Sequence, residues 1–496
     1  MSEHPDRRHR AVPLLIKCLC VCLMPFIALK ILGMGYLPYD DALRHVAKAI
    51  NGKPWTEILV LNPQFGLDHN FGWHVILTLL HKAMGWQQEA LIAFSVTFLF
   101  TVFAILPVFR LKRGEAWLAA LLVTLIANQG LATRFFTGRP YVLSMAVLML
   151  ICFLWLQMKD NGLRPPLLWG ITVAAITLAV WAHGVWYLFV LPVMALVLAS
   201  WWRNAMALAG CWLAGSFLGG LLTGHPVGYL LQAVQIAGQA FGQHTVQRVL
   251  AGEFQPSDGV FTFVMMIVLA IFARKLVTGQ WPSIFGNPLF LLVVLCWLFG
   301  LKVGRFWSDW GVPATMVWLA LNFETILEEL LPADSFRNLA LSAFLGMAIY
   351  ANMINDVGSR WTLHLNSVFL DASKPEIKEL MPADGGIIYS PDMTVFYQTF
   401  YQNPSAGWRY ALGFEPALMP PEDLNVFRSY QWNYGDTRAL EPWIRKMRPE
   451  DRMILRGGSA TAAPPGLVWR EGTPGLWIGR LPAAPVKTNA PAAGNQ

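Results

Sequence analysis

The sequence predicts a mainly α, polytopic membrane helix bundle of about eleven spans, followed by a small C-terminal α/β domain. Of the 496 residues, 55% are hydrophobic and only 14% are charged, and the mean hydropathy is +0.45. A single soluble core cannot bury that much apolar surface, so lipid must solvate part of it. Apolar runs of about 20 residues recur along the chain. Each is long enough to cross the hydrocarbon layer as a helix that satisfies its own backbone hydrogen bonds.

Apolar runs locate the individual spans. The first, at 11–37, follows a basic N-terminal leader and is too long for the apolar region of a signal peptide, so we expect it to stay in place. The other candidate spans lie at 87–109, 116–133, 140–158, 166–182, 186–202, 205–223, 261–277, 288–304, 311–330 and 338–354. The protein is therefore expected to be a multi-pass protein of the inner (cell) membrane.

Basic residues set the predicted orientation. Lysine and arginine follow the even-numbered spans, and the positive-inside rule assigns those connections, with the N-terminus, to the cytoplasm. The residues concerned are Arg110, Lys112, Arg113, Lys159, Arg164, Arg203, Arg274, Lys275 and Arg337. An odd number of spans then places the C-terminal segment outside the cytoplasm.

The predicted domains follow from this topology. Residues 1–355 form the transmembrane domain, 356–482 an extracytoplasmic α/β domain, and 483–496 a Pro/Ala-rich disordered tail. Turn signals and short β-like runs support the α/β domain. The runs lie at 386–389, 409–414, 453–455 and 467–469.

Charge and cysteine content argue against a nucleic-acid partner and against a disulfide-stabilised C-terminal domain. The net charge is +7 and the pI is about 9.1, but the basic residues flank apolar runs, so we expect no nucleic-acid partner. All six cysteines lie inside apolar runs, which leaves none for a disulfide framework in the C-terminal third.

The first predicted outer loop, 34–86, is rich in ionisable residues. It begins with an acidic pair, Asp40 and Asp41, placed directly after the first span. One local interpretation is that the pair caps a helix running to about residue 50 and pairs with Arg44. The functional alternative is a general base or a cation ligand. A second helix, from about Phe71 to Trp86, is predicted to lie in the membrane interface with Trp73 and Trp86 as anchors.

Further ionisable residues map to the same predicted face, where their cost makes a functional site the default hypothesis. Arg134 and Arg139 flank the connection between the third and fourth spans, as anion clamps or as snorkelling side chains. Arg305 and Asp309 have the spacing of a helical salt bridge, yet Arg305 also sits where a lipid phosphate would lie. Eight of the ten histidines belong to this face: His45, His69, His74, His81, His183, His225, His244 and His364.

The pattern resembles the GT-C superfamily of membrane glycosyltransferases. Three features carry the resemblance: the acidic pair after the first span, the segment HNFGWHVILTLLHKAMGW, and the run from Arg139-Pro140-Tyr141 to His183-Gly184, together with Arg305 at a span end. The layout of 12–350, followed by an outer domain, is similar to that of protein and lipid mannosyltransferases and of oligosaccharyltransferase catalytic subunits.

The resemblance implies an inverting transfer of a sugar from a polyprenyl-phosphate-linked donor to an acceptor hydroxyl outside the cytoplasm. Asp41 or Asp40 would be the catalytic base. Arg305, Arg139 and His183 would bind the lipid phosphate, with Arg134, His69 and His225 as further substrate-binding residues. It implies no certain cofactor and leaves a divalent cation open, and the acceptor is a glycan, a lipid or a protein.

Two other classes of function stay open at this point. A transporter or lipid flippase would place ionisable residues near mid-membrane and would show repeated halves. A non-catalytic scaffold of an envelope complex would leave each charged residue of the predicted face with its own local partner. The discriminating observation is whether these residues converge on one place.

Overall fold

A computed structural model of the chain describes residues 5–128, 130–157, 164–241, 260–284, 286–331, 336–457 and 463–482. The chain divides into two compact units, the first comprising 1–52 and 67–367 and the second 53–66 and 368–496. This division falls later than the boundary that the sequence placed after residue 355, and it removes 53–66 from the first unit. The predicted tail, 483–496, lies outside the described residues.

In the described residues of the first unit, the regular secondary structure is helical. Most of these helices are apolar on most faces, so hydrophobicity rather than amphipathic patterning defines them. They are α1 (Pro5–Leu32), α2 (Asp41–Asn51), α4 (Phe71–Met84), α5 (Gln88–Arg110), α6 (Gly114–Ala127), α7 (Gly130–Phe135), α8 (Tyr141–Ile151), α9 (Pro165–His183), α10 (Val190–Leu198), α11 (Trp202–Leu221), α12 (Pro226–Phe241), α13 (Val260–Thr278), α14 (Pro288–Gly300), α15 (Val312–Leu330) and α16 (Phe336–Ile354). The numbering leaves α3 for a short helix of the second unit.

Every candidate span predicted from the sequence overlaps a helix. Within the described part of the chain, four helical segments are long and apolar enough to cross a membrane: Ala11–Leu32, Gln88–Arg110, Pro165–His183 and Trp202–Leu221. Four shorter apolar segments accompany them, among them α6 and α14. The protein is thus mainly helical with membrane-spanning helices, and the count of eleven spans stays a prediction.

The second unit is built on a five-stranded mixed sheet in the order β2-β1-β3-β5-β4. Strand β1 pairs in parallel with β2 and β3, whereas β5 pairs antiparallel with β3 and β4. Each of the four predicted β-like runs overlaps a strand. The strand that overlaps the second run, β2, is only two residues long, and β5 was not predicted. The strands are β1 (Ile387–Tyr389), β2 (Arg409–Tyr410), β3 (Arg452–Arg456), β4 (Val468–Thr473) and β5 (Leu476–Arg480).

Helices complete the second unit around the sheet. They are α3 (Trp55–Ile58), α17 (Pro375–Lys378), α18 (Met393–Gln402), α19 (Pro421–Trp432) and α20 (Glu441–Lys446). The aromatic side chains of Tyr397, Tyr401 and Trp408 are buried and pack within this unit.

Residues 53–66 belong to the second unit because they pair with its strand β2. The backbone N–H of Val60 donates to the carbonyl of Tyr410 over 2.9 Å, and Trp55 packs on Phe414 with ring centroids 4.9 Å apart. The Leu59 side chain lies where a side chain at Gly413 would stand. The loop that follows α2 therefore contributes a strand-like segment to the second unit before the chain returns to the first.

A buried ion pair joins α6 to α15 and α16. Arg113 donates to the Glu115 carboxylate over 2.8 Å, and both side chains are 3% exposed. The same guanidinium donates to the Leu331 carbonyl and to the Asn338 side chain, each over 2.8 Å. A buried charge of this kind is tolerable because the guanidinium donates to a carboxylate, to backbone carbonyls and to a side-chain amide oxygen.

Replacing Glu115 with leucine is expected to destabilise the first unit by about 3 kcal/mol, because it leaves the Arg113 guanidinium buried beside an apolar side chain. Thermal unfolding of the detergent-solubilised protein measures the effect. Glu328→Gln is the matched control, since Glu328 pairs with Lys112 at 3.8 Å and both side chains are exposed; that change should leave the midpoint almost unmoved. Equal midpoints for the two variants would contradict the assignment.

Candidate functional site

The acidic pair stands at the start of α2. This helix begins at Asp41 and ends at Asn51, and the φ of 69° at the following Gly52 lets the chain turn away in the left-handed conformation. Asp40 occupies the N-cap position, but its carboxylate makes no capping hydrogen bond. The capping role offered for it is therefore wrong, and the reason is that an arginine distant in sequence takes the carboxylate instead.

Arg139 binds both members of the acidic pair. Its guanidinium lies 2.7 Å from an Asp40 oxygen and 3.4 Å from an Asp41 oxygen. Asp41 also accepts a hydrogen bond from the Nε of Arg44 over 2.6 Å, the local pairing that the spacing on α2 predicted. Two adjacent carboxylates repel each other, so this shared guanidinium is what allows both to point to one place.

A second cluster, the arginine cluster, comprises Arg134, Arg305, Asp309 and His183. Asp309 accepts hydrogen bonds from Arg134 and from Arg305, the latter over 3.1 Å with the predicted four-residue spacing. A nitrogen of Arg305 lies 3.5 Å from Nε2 of His183, whose Nδ1 lies 3.1 Å from the Ser144 hydroxyl. One carboxylate thus holds two guanidinium groups beside an imidazole.

The acidic pair and the arginine cluster lie close together. Arg134 and Arg139 are at the two ends of the short connection between α7 and α8, one in each group. The Tyr141 hydroxyl donates to the carbonyl of Arg134 over 2.6 Å, and its ring stands 6.3 Å from that of His183. Asp41 is near enough for its charge to act on the His183 ring. Six of the eight site residues predicted from the sequence therefore meet at one place.

Exposure separates the members that a ligand could reach from those that support them. The side chains of Asp40, Asp41 and Arg139 are 16–17% exposed, and that of Arg305 is 22% exposed. Asp309 is only 5% exposed, although it binds two arginines. The partly exposed groups are accessible to a ligand, and Asp309 holds the guanidinium groups of Arg134 and Arg305 in position.

His69 lies next to this place, and its backbone carbonyl makes the hydrogen bonds that position it. Its carbonyl accepts hydrogen bonds from the Gly184 N–H over 3.1 Å and from the Tyr229 hydroxyl over 2.9 Å. A Cβ at Gly184 would stand 3.2 Å from that carbonyl oxygen and from the Tyr229 hydroxyl. Glycine after His183 is what lets the segment around His69 approach the end of α9.

His225 is not part of this arrangement in the described part of the chain. It is exposed before α12, where its carbonyl accepts the Tyr229 N–H over 2.8 Å. His244 lies outside the described residues. Trp73, expected as an interfacial anchor, is fully buried against Phe94 and Phe98, so the anchoring role is wrong. Its ring faces helix α5, which the sequence pattern did not indicate.

His45, His74 and Asp68 form a hydrogen-bonded row, here called the imidazole chain, that the sequence pattern did not predict. Nδ1 of His45 lies 2.8 Å from Nε2 of His74, and Nδ1 of His74 lies 2.6 Å from an Asp68 oxygen. His45 and His74 are 2% and 5% exposed. Pairs at these spacings, 29 and 6 residues apart, leave no periodic signal in a sequence.

Burial controls the ionisation of the imidazole chain. It holds the pKa of His45 well below its usual range, and the Arg44 charge acts in the same direction. Burial likewise lowers the pKa of His74, against the opposing charge of Asp68, and lowers that of His69 to about 4. For Asp68, burial would raise the carboxyl pKa, but the contacts with His74, Lys48 and the Asn70 N–H outweigh it and hold that pKa well below its usual range.

Within the described residues, no group of three or more histidine, cysteine, aspartate or glutamate side chains is arranged to hold a metal ion. Both carboxylates of the acidic pair lie against guanidinium groups. With four arginines facing three carboxylates, the combined site suits an anion better than a cation.

Comparison with solved structures shows which fold this is. A cryo-EM structure of the arabinofuranosyltransferase AftD from mycobacteria matches 97% of this chain and 40% of its own, with a TM-score of 0.52 and 14% identity. The crystal structure of the oligosaccharyltransferase from Archaeoglobus fulgidus matches 97% of this chain and 76% of its own, with a TM-score of 0.51 and 12% identity.

The chain has a GT-C-like fold. The predicted resemblance to GT-C glycosyltransferases is thereby confirmed at the level of the fold. This chain spans 40% of the length of the mycobacterial protein. No protein-family model and no curated protein sequence matches it.

The buried histidines predict a pH-dependent stability. In the unfolded chain His45 and His74 take up protons near pH 6.5, whereas in the folded protein they do so only at lower pH. The unfolded state then binds more protons, so stability is full above pH 6.5 and falls as the pH drops below it, by up to about 1.4 kcal/mol per pH unit for each histidine.

Thermal unfolding between pH 7.5 and pH 5 checks this prediction. His45→Gln should flatten the fall of the midpoint with pH, because one proton-binding group is lost from the unfolded state. His225→Gln, which changes an exposed histidine, should keep the wild-type slope. The same slope in all three proteins would contradict the assignment.

Proposed function

We propose that the protein is a membrane glycosyltransferase that moves a sugar from a polyprenyl-phosphate-linked donor to an acceptor hydroxyl. The observation that carries this proposal is the meeting of the acidic pair with Arg139, Arg305 and His183 at one place. A general base and a phosphate clamp are the two parts that such a transfer needs. The GT-C-like fold, which the arabinofuranosyltransferase and the oligosaccharyltransferase share, supports the same conclusion.

The charge of the site suits a donor with a phosphate. Arg305 is 22% exposed and keeps its planar guanidinium in place through Asp309. Guanidinium groups bind phosphate oxygens through two parallel hydrogen bonds, which a lysine cannot reproduce. The site has four arginines and three carboxylates, and the anionic donor would balance the one positive charge in excess.

The proposed reaction is an inverting transfer. The acceptor oxygen attacks the anomeric carbon from the face opposite the phosphate, so the configuration inverts. The bond between that carbon and the phosphate oxygen breaks, and its electron pair leaves with the phosphate. Arg305 and Arg139 stabilise the charge that grows there. The proton of the acceptor hydroxyl passes to Asp41 or Asp40, and one of these carboxylates also stabilises the oxocarbenium-like transition state.

The placement of the site relative to the membrane belongs to the same proposal. From the basic connections we infer that the site and the second unit are outside the cytoplasm and that the N-terminus is inside. The arginine cluster follows the ends of α7, α9 and α14, where the headgroup of a membrane lipid would lie. A polyprenyl tail would then stay in the bilayer while its phosphate reaches Arg305.

The other classes of function account less well for this arrangement. A scaffold would leave each charged residue with a local partner, whereas Asp40 binds Arg139, 99 residues away, and Asp309 binds Arg134, 175 residues away. In a transporter, the acidic residues on α15 would be expected to line the pathway of the transported ion or molecule. Glu324 instead accepts the backbone N–H groups of Lys112 and Arg113 over 2.7 and 3.0 Å.

Asp41→Asn and Asp40→Asn test the base. We expect at least one of them to lower transfer by about 100-fold or more, because an amide cannot take a proton. The assay follows release of polyprenyl phosphate from radiolabelled farnesylphosphoryl sugars, with arabinofuranose and mannose as the first two, in membranes that supply acceptors. Asp436→Asn in the second unit, which alters an exposed ion pair, is the control. Full activity of both site variants would exclude the acidic pair as base.

Arg305→Lys and Arg305→Gln test the phosphate clamp. Both should weaken binding of undecaprenyl phosphate by about tenfold or more, since a charge-assisted pair of hydrogen bonds is lost even where lysine keeps the charge. Titration of the protein in lipid nanodiscs gives the dissociation constants. Arg438→Gln, at an 87% exposed arginine of the second unit, is the matched control. Wild-type affinity in the Arg305 variants would place the lipid phosphate elsewhere.

A further inference from the structure

Helix α9 ends at His183, where a hydroxyl from another helix stands in place of the next helical hydrogen bond. In a continuing α-helix the Gly184 N–H would donate to the Val180 carbonyl, four residues earlier. Here the Gly184 N–H donates to the Tyr229 hydroxyl and to the His69 carbonyl, each over 3.1 Å. The single hydrogen of that hydroxyl is shared between the Val180 and His69 carbonyls, over 2.8 and 2.9 Å. Tyr229 thus stands between the two groups that a further helical residue would join.

Helix α12 holds Tyr229 in this position. The Tyr229 side chain is 1% exposed, so water does not compete for the main-chain groups that it binds. The next residue of α12, Leu230, accepts the Trp186 indole N–H over 3.0 Å. Near one turn further along, Gln232 donates to the Leu67 carbonyl over 2.8 Å and accepts the Leu67 N–H over 3.1 Å. Helix α12 therefore binds the chain on both sides of the end of α9, as well as the segment that precedes α4.

The end of α9 carries a member of the arginine cluster. Nδ1 of His183 lies 3.1 Å from the Ser144 hydroxyl, and its Nε2 lies 3.5 Å from a nitrogen of Arg305. The last carbonyls of a helix have no intrahelical donor, and helix ends fray where no other group satisfies them. Tyr229 supplies a donor to Val180, in the last turn before His183. The position of the imidazole therefore depends on a hydroxyl that α12 provides.

We propose that Tyr229 is a positioning residue of the candidate site, which ends α9 at His183 and so holds the imidazole against Arg305. The inference rests on the proposed function, because the imidazole belongs to the proposed phosphate site. Tyr229 acts through His183, and the phosphate would contact His183 and Arg305. The role requires a hydroxyl, since a phenyl ring fills the same space but neither donates to a carbonyl nor accepts the Gly184 N–H.

Tyr229→Phe removes the hydroxyl and leaves the Val180 carbonyl and the Gly184 N–H to pair with each other, as in a continuing helix. The Gly184 N–H then moves away from the His69 carbonyl, and the end of α9 rearranges around His183. Binding of undecaprenyl phosphate in lipid nanodiscs should weaken about fivefold to tenfold, which is the effect of one lost buried hydrogen bond.

The His183→Gln background tests whether Tyr229 acts through the imidazole. Two substitutions are not additive where both residues serve one interaction. Tyr229→Phe should therefore weaken binding by less than about twofold in the His183→Gln protein. A residue with a merely structural role would give the same fold-change in both backgrounds, and that result would overturn the proposal.

Gly184→Ala tests the same contact from the other side. A Cβ at this position would stand 3.2 Å from the Tyr229 hydroxyl and from the His69 carbonyl oxygen, so both oxygens would have to move. We expect weaker binding of undecaprenyl phosphate here too. Wild-type affinity in both Gly184→Ala and Tyr229→Phe would contradict the inference.

Thr172→Val is the matched control, because it removes a buried hydroxyl from α9 about three turns before His183. The Thr172 hydroxyl accepts the Trp155 indole N–H over 2.9 Å and donates to the Leu168 carbonyl over 2.8 Å. This variant should lower the thermal unfolding midpoint and keep wild-type affinity. An equal loss of affinity in Thr172→Val and Tyr229→Phe would assign the effect to general destabilisation and would overturn the proposal.

The Arg305 variants separate failure of this inference from failure of the proposed function. If Arg305→Gln weakens binding while Tyr229→Phe and Gly184→Ala bind like wild type, only the positioning role is wrong. If wild type does not bind undecaprenyl phosphate, or if Arg305→Gln binds it as tightly as wild type does, the proposed phosphate site is wrong and the positioning role falls with it.

Discussion

The Arg139 guanidinium holds together the face of the first unit that carries the candidate site. Two adjacent carboxylates on a short helix, partly withdrawn from water, need a shared cation if both are to remain in one place. Arg139 supplies it from the connection before α8, with contacts of 2.7 and 3.4 Å to Asp40 and Asp41. Because Arg134 is at the other end of that connection, the same short segment fixes both the acidic pair and the arginine cluster.

Hydrogen bonds from neighbouring residues replace water at several other buried polar groups around the site. Asp309 satisfies two arginines, and Ser144 satisfies one nitrogen of His183. Tyr229 and Gln232, both on α12, bind the backbone at His69 and Leu67. A polar group left without such a partner would cost more than its hydrogen bond contributes. The result is a rigid set of ionisable groups, which is what transition-state stabilisation by preorganised charges requires.

Local patterns in the sequence predicted much of this face. Apolar runs located the helices, and the four-residue spacing predicted the pair of Arg305 and Asp309. The pair of Asp41 and Arg44 also follows from helical geometry. Helical spacing and capping preferences gave the wrong prediction where a residue distant in sequence bound the same side chain. Asp40 should cap α2 by propensity, but a charged partner is worth more than a capping hydrogen bond, so the carboxylate binds Arg139.

The sequence by itself determined that the protein is a largely helical membrane protein, that a β-containing segment follows, and that ionisable residues gather at the ends of particular helices. These properties depend on hydrophobicity and on spacings of three or four residues, which any single segment displays. Only the tertiary structure decided which ionisable groups meet: Asp40 with Arg139, Arg134 with Asp309, and His45 with His74. It also decided that 53–66 belong with the second unit. Such contacts join residues 29 to 175 positions apart, and no local periodicity encodes them, because the packing of whole helices brings them together.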